Sequence, residues 1–89
     1  MFRMWFQEWK DNHMIRDLTL TDDSEDTRTH KVFRLLRQAC NEFDLSNPIW
    51  LDKNVSDFKR NAKTKFDRDS FVEEIPFDHL QIQILEEDT

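Results

Sequence analysis

Glycine is absent from all 89 residues. Walker A loops, dinucleotide-binding turns and EF-hand loops need glycine where the backbone takes positive φ or touches a ligand closely. None can be present in standard form. Any turn that needs positive φ must fall on Asn or Asp, which draws attention to Asp11-Asn12 and Asn47. Cysteine is nearly absent too. Cys40 stands alone, which excludes an internal disulfide and a Cys-rich zinc site. Long apolar runs are missing: the longest are Met4-Trp5-Phe6 and Ile49-Trp50-Leu51, far short of a membrane span. Arg3, Gln7 and Glu8 interrupt the first apolar residues, so no secretory leader is expected. The chain reads as cytoplasmic, with no membrane association.

What remains is rich in aromatics and charge. The chain is 37% hydrophobic and 36% charged, with eight Phe and three Trp. Large aromatic side chains bury much area per residue, which suits one small domain over residues 1–89. The net charge of −6 argues against non-specific nucleic-acid binding.

Residues 2–21 read as a β-hairpin about a two-residue Asp11-Asn12 turn. That register sets Trp9 opposite Met14, Trp5 opposite Leu18 and Arg3 opposite Leu20. One face then holds Trp5, Trp9, Met14, Leu18 and Leu20. The other holds Phe2, Met4, Phe6 and Ile15. An acidic loop follows, and Asp26 or Ser24 is expected to cap a long helix from Thr27 to Phe43. Val32, Leu35, Leu36, Ala39, Cys40 and Phe43 form its apolar stripe. Asn54 is expected to cap a short helix through Val55, Phe58 and Ala62, and Asp67 or Asp69 another carrying Phe71 and Val72. His79 to Glu86 alternates as a half-buried strand, with Leu80, Ile82 and Ile84 on one face and Gln81 and Gln83 on the other. The acidic tail 86–89 is expected to fray. The expected fold is α+β in the order β-β-α-α-α-β, a three-stranded antiparallel sheet packed on one long helix.

The doubly apolar hairpin is the leading candidate site. One helix covers one sheet face, which leaves Phe2, Met4, Phe6 and Ile15 either to segment 49–75 or to a partner surface. The first alternative is ordinary burial beneath Trp50, Phe58, Phe66 and Phe71. The second is self-association or an accessory-subunit contact, and it is the function expected here.

A polyanion surface is the alternative function. Segment 28–37 carries four basic residues and no acid, and segment 53–68 carries six against two. Arg28, Lys31, Arg34, Lys59, Arg60, Lys63 and Lys65 are its candidates. The bland reading is a set of solvated helix faces.

Other chemistry finds little support. Thr27, Arg28, Thr29 and Lys31 at a helix start suggest a phosphate site, but Asp22, Asp23, Glu25 and Asp26 crowd the same end. His13, His30 and His79 lack ligand spacing with each other or with Cys40. Cys40 lies in an apolar stripe, where burial suppresses its reactivity. No catalytic set and no cofactor are implied.

Four strings carry a family resemblance: Trp9-Lys10-Asp11-Asn12, Asp26 to Lys31, Pro48 to Asp52, and Gln81 to Ile84. Together the chain resembles a family of short proteins from Gram-positive anaerobic bacteria. The resemblance implies a bacterial single-domain protein and transfers no functional residue.

Overall fold

A computed structural model describes residues 1–87. Asp11 and Asn12 both take positive φ, 52° and 65°, as a two-residue type I′ turn requires. They join β1 (Phe2–Lys10) to β2 (His13–Asp22). The expected register holds only next to the turn, where Lys10 faces His13 and Trp9 faces Met14. Glu8 then faces Arg16, so Ile15 is the extra residue of a β-bulge. Beyond it Phe6 faces Leu18 and Met4 faces Leu20, while Trp5 faces Thr19 and Arg3 faces Thr21. The pairings of Trp5 with Leu18 and of Arg3 with Leu20 are therefore corrected. A one-residue slip moves every later side chain to the other face. Here the slip gathers Phe2, Met4, Phe6, Leu18 and Leu20 on one side.

Thr27, rather than Asp26 or Ser24, caps α1 (Arg28–Glu42), its Oγ1 accepting from the His30 N–H at 3.2 Å. The stripe Val32, Leu35, Leu36, Ala39 and Cys40 is buried as expected. The helix ends in a Schellman arrangement: Leu45 N–H reaches the Cys40 carbonyl at 2.8 Å, with Asp44 at φ 57° where glycine is usual.

Leu51, not Asn54, stands at the N-cap of α2 (Asp52–Asn61). Asn54 lies three residues in, and its Oδ1 accepts the Leu51 N–H at 3.0 Å, one half of a capping box. The side chain is wholly buried, and its Nδ2 donates to Thr64 Oγ1 and the Lys65 carbonyl.

The expected three-stranded sheet has a fourth strand, β3 (Lys63–Phe66). Ala62 takes φ 57° and turns α2 directly into it, leaving no loop to announce a strand. Its four residues, Lys-Thr-Lys-Phe, are too few for alternation to stand out. The expected third helix is a single 3-10 turn, Arg68–Ser70, with Phe71 already extended. A helix that short does not meet the cost of nucleation. The last strand, β4 (His79–Glu86), pairs with both β1 and β3. Among the described residues the fold is α+β: one four-stranded antiparallel sheet, order β2-β1-β4-β3, with two α-helices. Of the tail expected to fray, Glu86 ends β4, and positions 88 and 89 lie outside the described residues.

The core lies on one side of the sheet. Phe2, Met4 and Phe6 of β1, Phe66 of β3 and Leu80 and Ile82 of β4 are almost fully buried with the α1 stripe. α1 packs on β1 and β2, and α2 beside β3. Trp50 joins the layers, its ring edge-on to Phe66 at 4.9 Å and to Phe58 at 5.5 Å.

Candidate functional site

Among the described residues, no helix packs on the other side of the sheet. Strand alternation and register order its side chains into rows. Met14, Trp9 and His79 make one, running across β2, β1 and β4. Asp17, Gln7, Gln81 and Lys65 make the next, and Thr19, Trp5, Gln83 and Lys63 the third.

Both tryptophans are half-buried and held. Trp5 Nε1 donates to Asp17 Oδ2 at 2.8 Å, and Trp9 Nε1 donates to Gln7 Oε1 at 2.9 Å. Trp9 also stacks on His79, with ring centres 6.3 Å apart and planes 15° from parallel. Burial, aided by the Lys65 charge, lowers the His79 pKa and so favours the neutral ring. Gln7 lies between the indoles and is itself buried. Its Oε1 accepts from an indole, which fixes the amide so that Nε2 must donate. That buried Nε2 has no acceptor among the described residues. An unmet buried donor costs about 1–3 kcal/mol. Trp9, Lys65, Asp78, His79 and Gln81 border a shallow recess at one end of this face.

The residues expected to form an interface do not share this face. Phe2, Met4 and Phe6 point into the core, and Ile15 alone of the four is exposed, at the bulge. The bulge causes this difference, since it moves Leu18 and Leu20 to the Phe6 side and leaves Trp5 and Trp9 on the outside. The polyanion candidates differ in their surroundings. Arg28 Nε donates to Glu87, and Arg34 is held by Asp22 and Asp26. Lys31 is buried with its ammonium 5.6 Å from the centre of the Phe2 ring. Lys59, Arg60, Lys63 and Lys65 are exposed.

The start of α1 is crowded with its own charges. Asp26 accepts from the Thr27 N–H and lies 2.8 Å from His30 Nδ1. Cys40 is buried, and burial, with the Glu8 charge, pushes its thiol up to about 12. It is a neutral thiol at physiological pH. Among the described residues no three His, Cys, Asp or Glu side chains gather as a metal-binding group. No described helix is long and apolar enough to cross a membrane.

Sequence reasoning missed Trp5, Trp9 and His79 as one surface. The signal lay in β2: Leu18 and Leu20 alternate with Thr19 and Thr21, and setting both leucines beside Phe6 and Met4 requires a bulge.

No protein-family model matches the chain, and no curated protein or solved structure matches it.

Proposed function

We propose that the protein is a binding module that docks a partner protein on the outward face of its sheet. The observation that carries this reading is the pair Trp5 and Trp9, two half-buried indoles on a face that neither helix covers. Tryptophan is enriched among residues that dominate interface energy. Both indoles are already fixed by hydrogen bonds to Asp17 and Gln7, so docking orders little that was free. Gln81, Gln83 and Thr19 supply a polar frame around them. A cytoplasmic location belongs to the same proposal and rests on the single unpaired cysteine.

Binding of single-stranded nucleic acid is the second reading. Lys63 and Lys65 stand on the edge strand beside the Trp9–His79 stack, and bases stack on such rings. The net charge of −6 weighs against it.

The test uses the whole chain as bait beside the double variant Trp5→Thr/Trp9→Thr, with circular dichroism confirming that both are folded. A protein captured and cross-linked by the first and lost by the second is the expected result. Light scattering separates a second copy from a different chain. Identical captures by both baits and identical masses in solution would overturn the proposal. Nuclease-sensitive absorbance at 260 nm in the eluate would favour the second reading.

A further inference from the structure

A separate recess opens in the helix layer, away from the outward sheet face. Val32 and Phe33 of α1 line one side, Val55 and Phe58 of α2 the other, and Trp50 lies between them. Phe33 is 50% exposed and Val55 38%, beside the core residues Val32 and Phe58. The Phe33 ring meets Trp50 edge-on at 5.8 Å, and Trp50 in turn contacts the fully buried Phe66. The recess is thus backed by the core. Its volume is about 170 Å³. A cavity of about 150 Å³ holds a benzene molecule, so one bulky apolar side chain fits.

The rim is basic in an acidic protein. Arg28 and Lys59 border the recess, and among the described residues no Asp or Glu lines it, while the chain as a whole carries −6. Arg28 lies over the Phe58 ring, 5.5 Å from its centre. A carboxylate already sits on this rim: Arg28 Nε donates to Glu87 Oε1 at 2.8 Å. Glu87 directly follows β4, so the end of the sheet brings an acidic side chain to the mouth of the recess.

We propose that this recess binds a short acidic segment of a partner protein carrying one bulky apolar side chain, and that Glu87 competes for the same arginine. The apolar side chain fills the space between Phe33 and Val55, and flanking carboxylates meet Arg28 and Lys59. Burial supplies the affinity, and charge selects the partner and hastens encounter. The Arg28–Glu87 pair is exposed, so displacing it costs little. The recess stands apart from Trp5 and Trp9, and the proposal does not depend on the sheet-face reading.

The experiment titrates the ¹⁵N-labelled full chain with the acetylated peptide EEDFSEDE. One control peptide has Phe replaced by Ser, and another has every acid replaced by Gln. Saturable shifts are expected at the amides of Val32, Phe33, Val55 and Lys59, with binding at least about tenfold tighter than to either control, a difference of about 1.4 kcal/mol. Arg28→Glu/Lys59→Glu should weaken binding about tenfold or more, with unchanged circular dichroism. Glu87→Gln should tighten it about two- to fivefold by removing the competitor. Three outcomes overturn the docking site: no shifts at about 1 mM peptide, equal binding of the Gln control, or shifts centred on Trp5 and Trp9. An affinity unchanged by Glu87→Gln overturns the competition.

Discussion

Arg16 grips Glu8 with two hydrogen bonds, Nε to Oε1 at 2.6 Å and Nη2 to Oε2 at 3.0 Å, at the first pair beyond the hairpin bulge. The same guanidinium donates to the Phe43 carbonyl and lies 4.5 Å from the centre of the Phe43 ring. It therefore ties the sheet to the C-terminal end of α1. The Glu8 side chain is 2% exposed and that of Arg16 48%. The two partners are not equivalent. Arg16→Met strands a buried carboxylate, whereas Glu8→Gln leaves a guanidinium that can meet water. Arg16→Met should cost about 3 kcal/mol and Glu8→Gln about 1 kcal/mol. Urea denaturation of both variants checks the order, and the reverse order would refute it.

Ala62 is expected to be a point of stored strain. It alone of the four positive-φ residues among those described lacks a side chain suited to that region, since the others are Asp11, Asn12 and Asp44. The left-handed conformation costs a non-glycine residue about 1–2 kcal/mol. Glycine relieves that cost but loosens the unfolded chain by about 0.4–1 kcal/mol. Ala62→Gly should therefore stabilise by about 0.5 kcal/mol, raising Tm by about 2–4 °C. Ala62→Val should lower it. Calorimetry decides, and a fall in Tm for the glycine variant would count against the argument.

Asn54 joins α2 to β3 through bonds to Thr64 Oγ1 at 3.0 Å and the Lys65 carbonyl at 2.8 Å. It also holds the first turn of α2 through the Leu51 N–H. Asn54→Leu removes all three and leaves buried groups unmet, at a cost of about 2–4 kcal/mol. The loss should be largest locally. Hydrogen exchange at the Leu51 amide should speed up more than at the central amides of β1 and β4. Uniform acceleration would show that Asn54 is not a local tie.

Acid should loosen the entrance to α1 first. His30 hydrogen bonding, then the Thr27 N–H and Arg34, holds the Asp26 pKa down to about 2. Asp22 is also lowered, chiefly by its hydrogen bonds with Ser24, as is Asp67, chiefly by Lys53. An unfolded Asp titrates near 3.9, so the unfolded chain binds more protons between about pH 4 and 2. The stabilisation is complete above about pH 4 and is lost as pH falls toward 2. Urea midpoints measured across this range should fall less steeply for Asp26→Asn than for the wild type. Parallel profiles would remove Asp26 from the account.

Much of this structure was legible from local patterns. The Asp11-Asn12 turn, the α1 stripe and the alternation of β4 each rest on residues close in sequence, where propensity and period act directly. Residues 62–72 were not legible. Ala62 gives no turn signal, β3 has four residues with two lysines, and the turn at Arg68–Ser70 is capped well enough to imitate a helix. Of the outward face, the polar side of β4 was visible through Gln81 and Gln83, whereas Trp5 and Trp9 were assigned to the wrong side of the sheet.

The sequence alone determined the class of object: a single acidic α+β domain, aromatic in its core, whose positive-φ positions had to be met without glycine. The tertiary structure decided which face of β1 is the inside. Both faces of that strand are apolar enough to be buried, so its own residues leave the choice open. The choice was made where Ile15 bulges out of β2, because only the shifted register sets Leu18 and Leu20 beside Phe6 and Met4 under α1. Burying those side chains together outweighs one unpaired residue in the ladder, and it turns Trp5 and Trp9 outward.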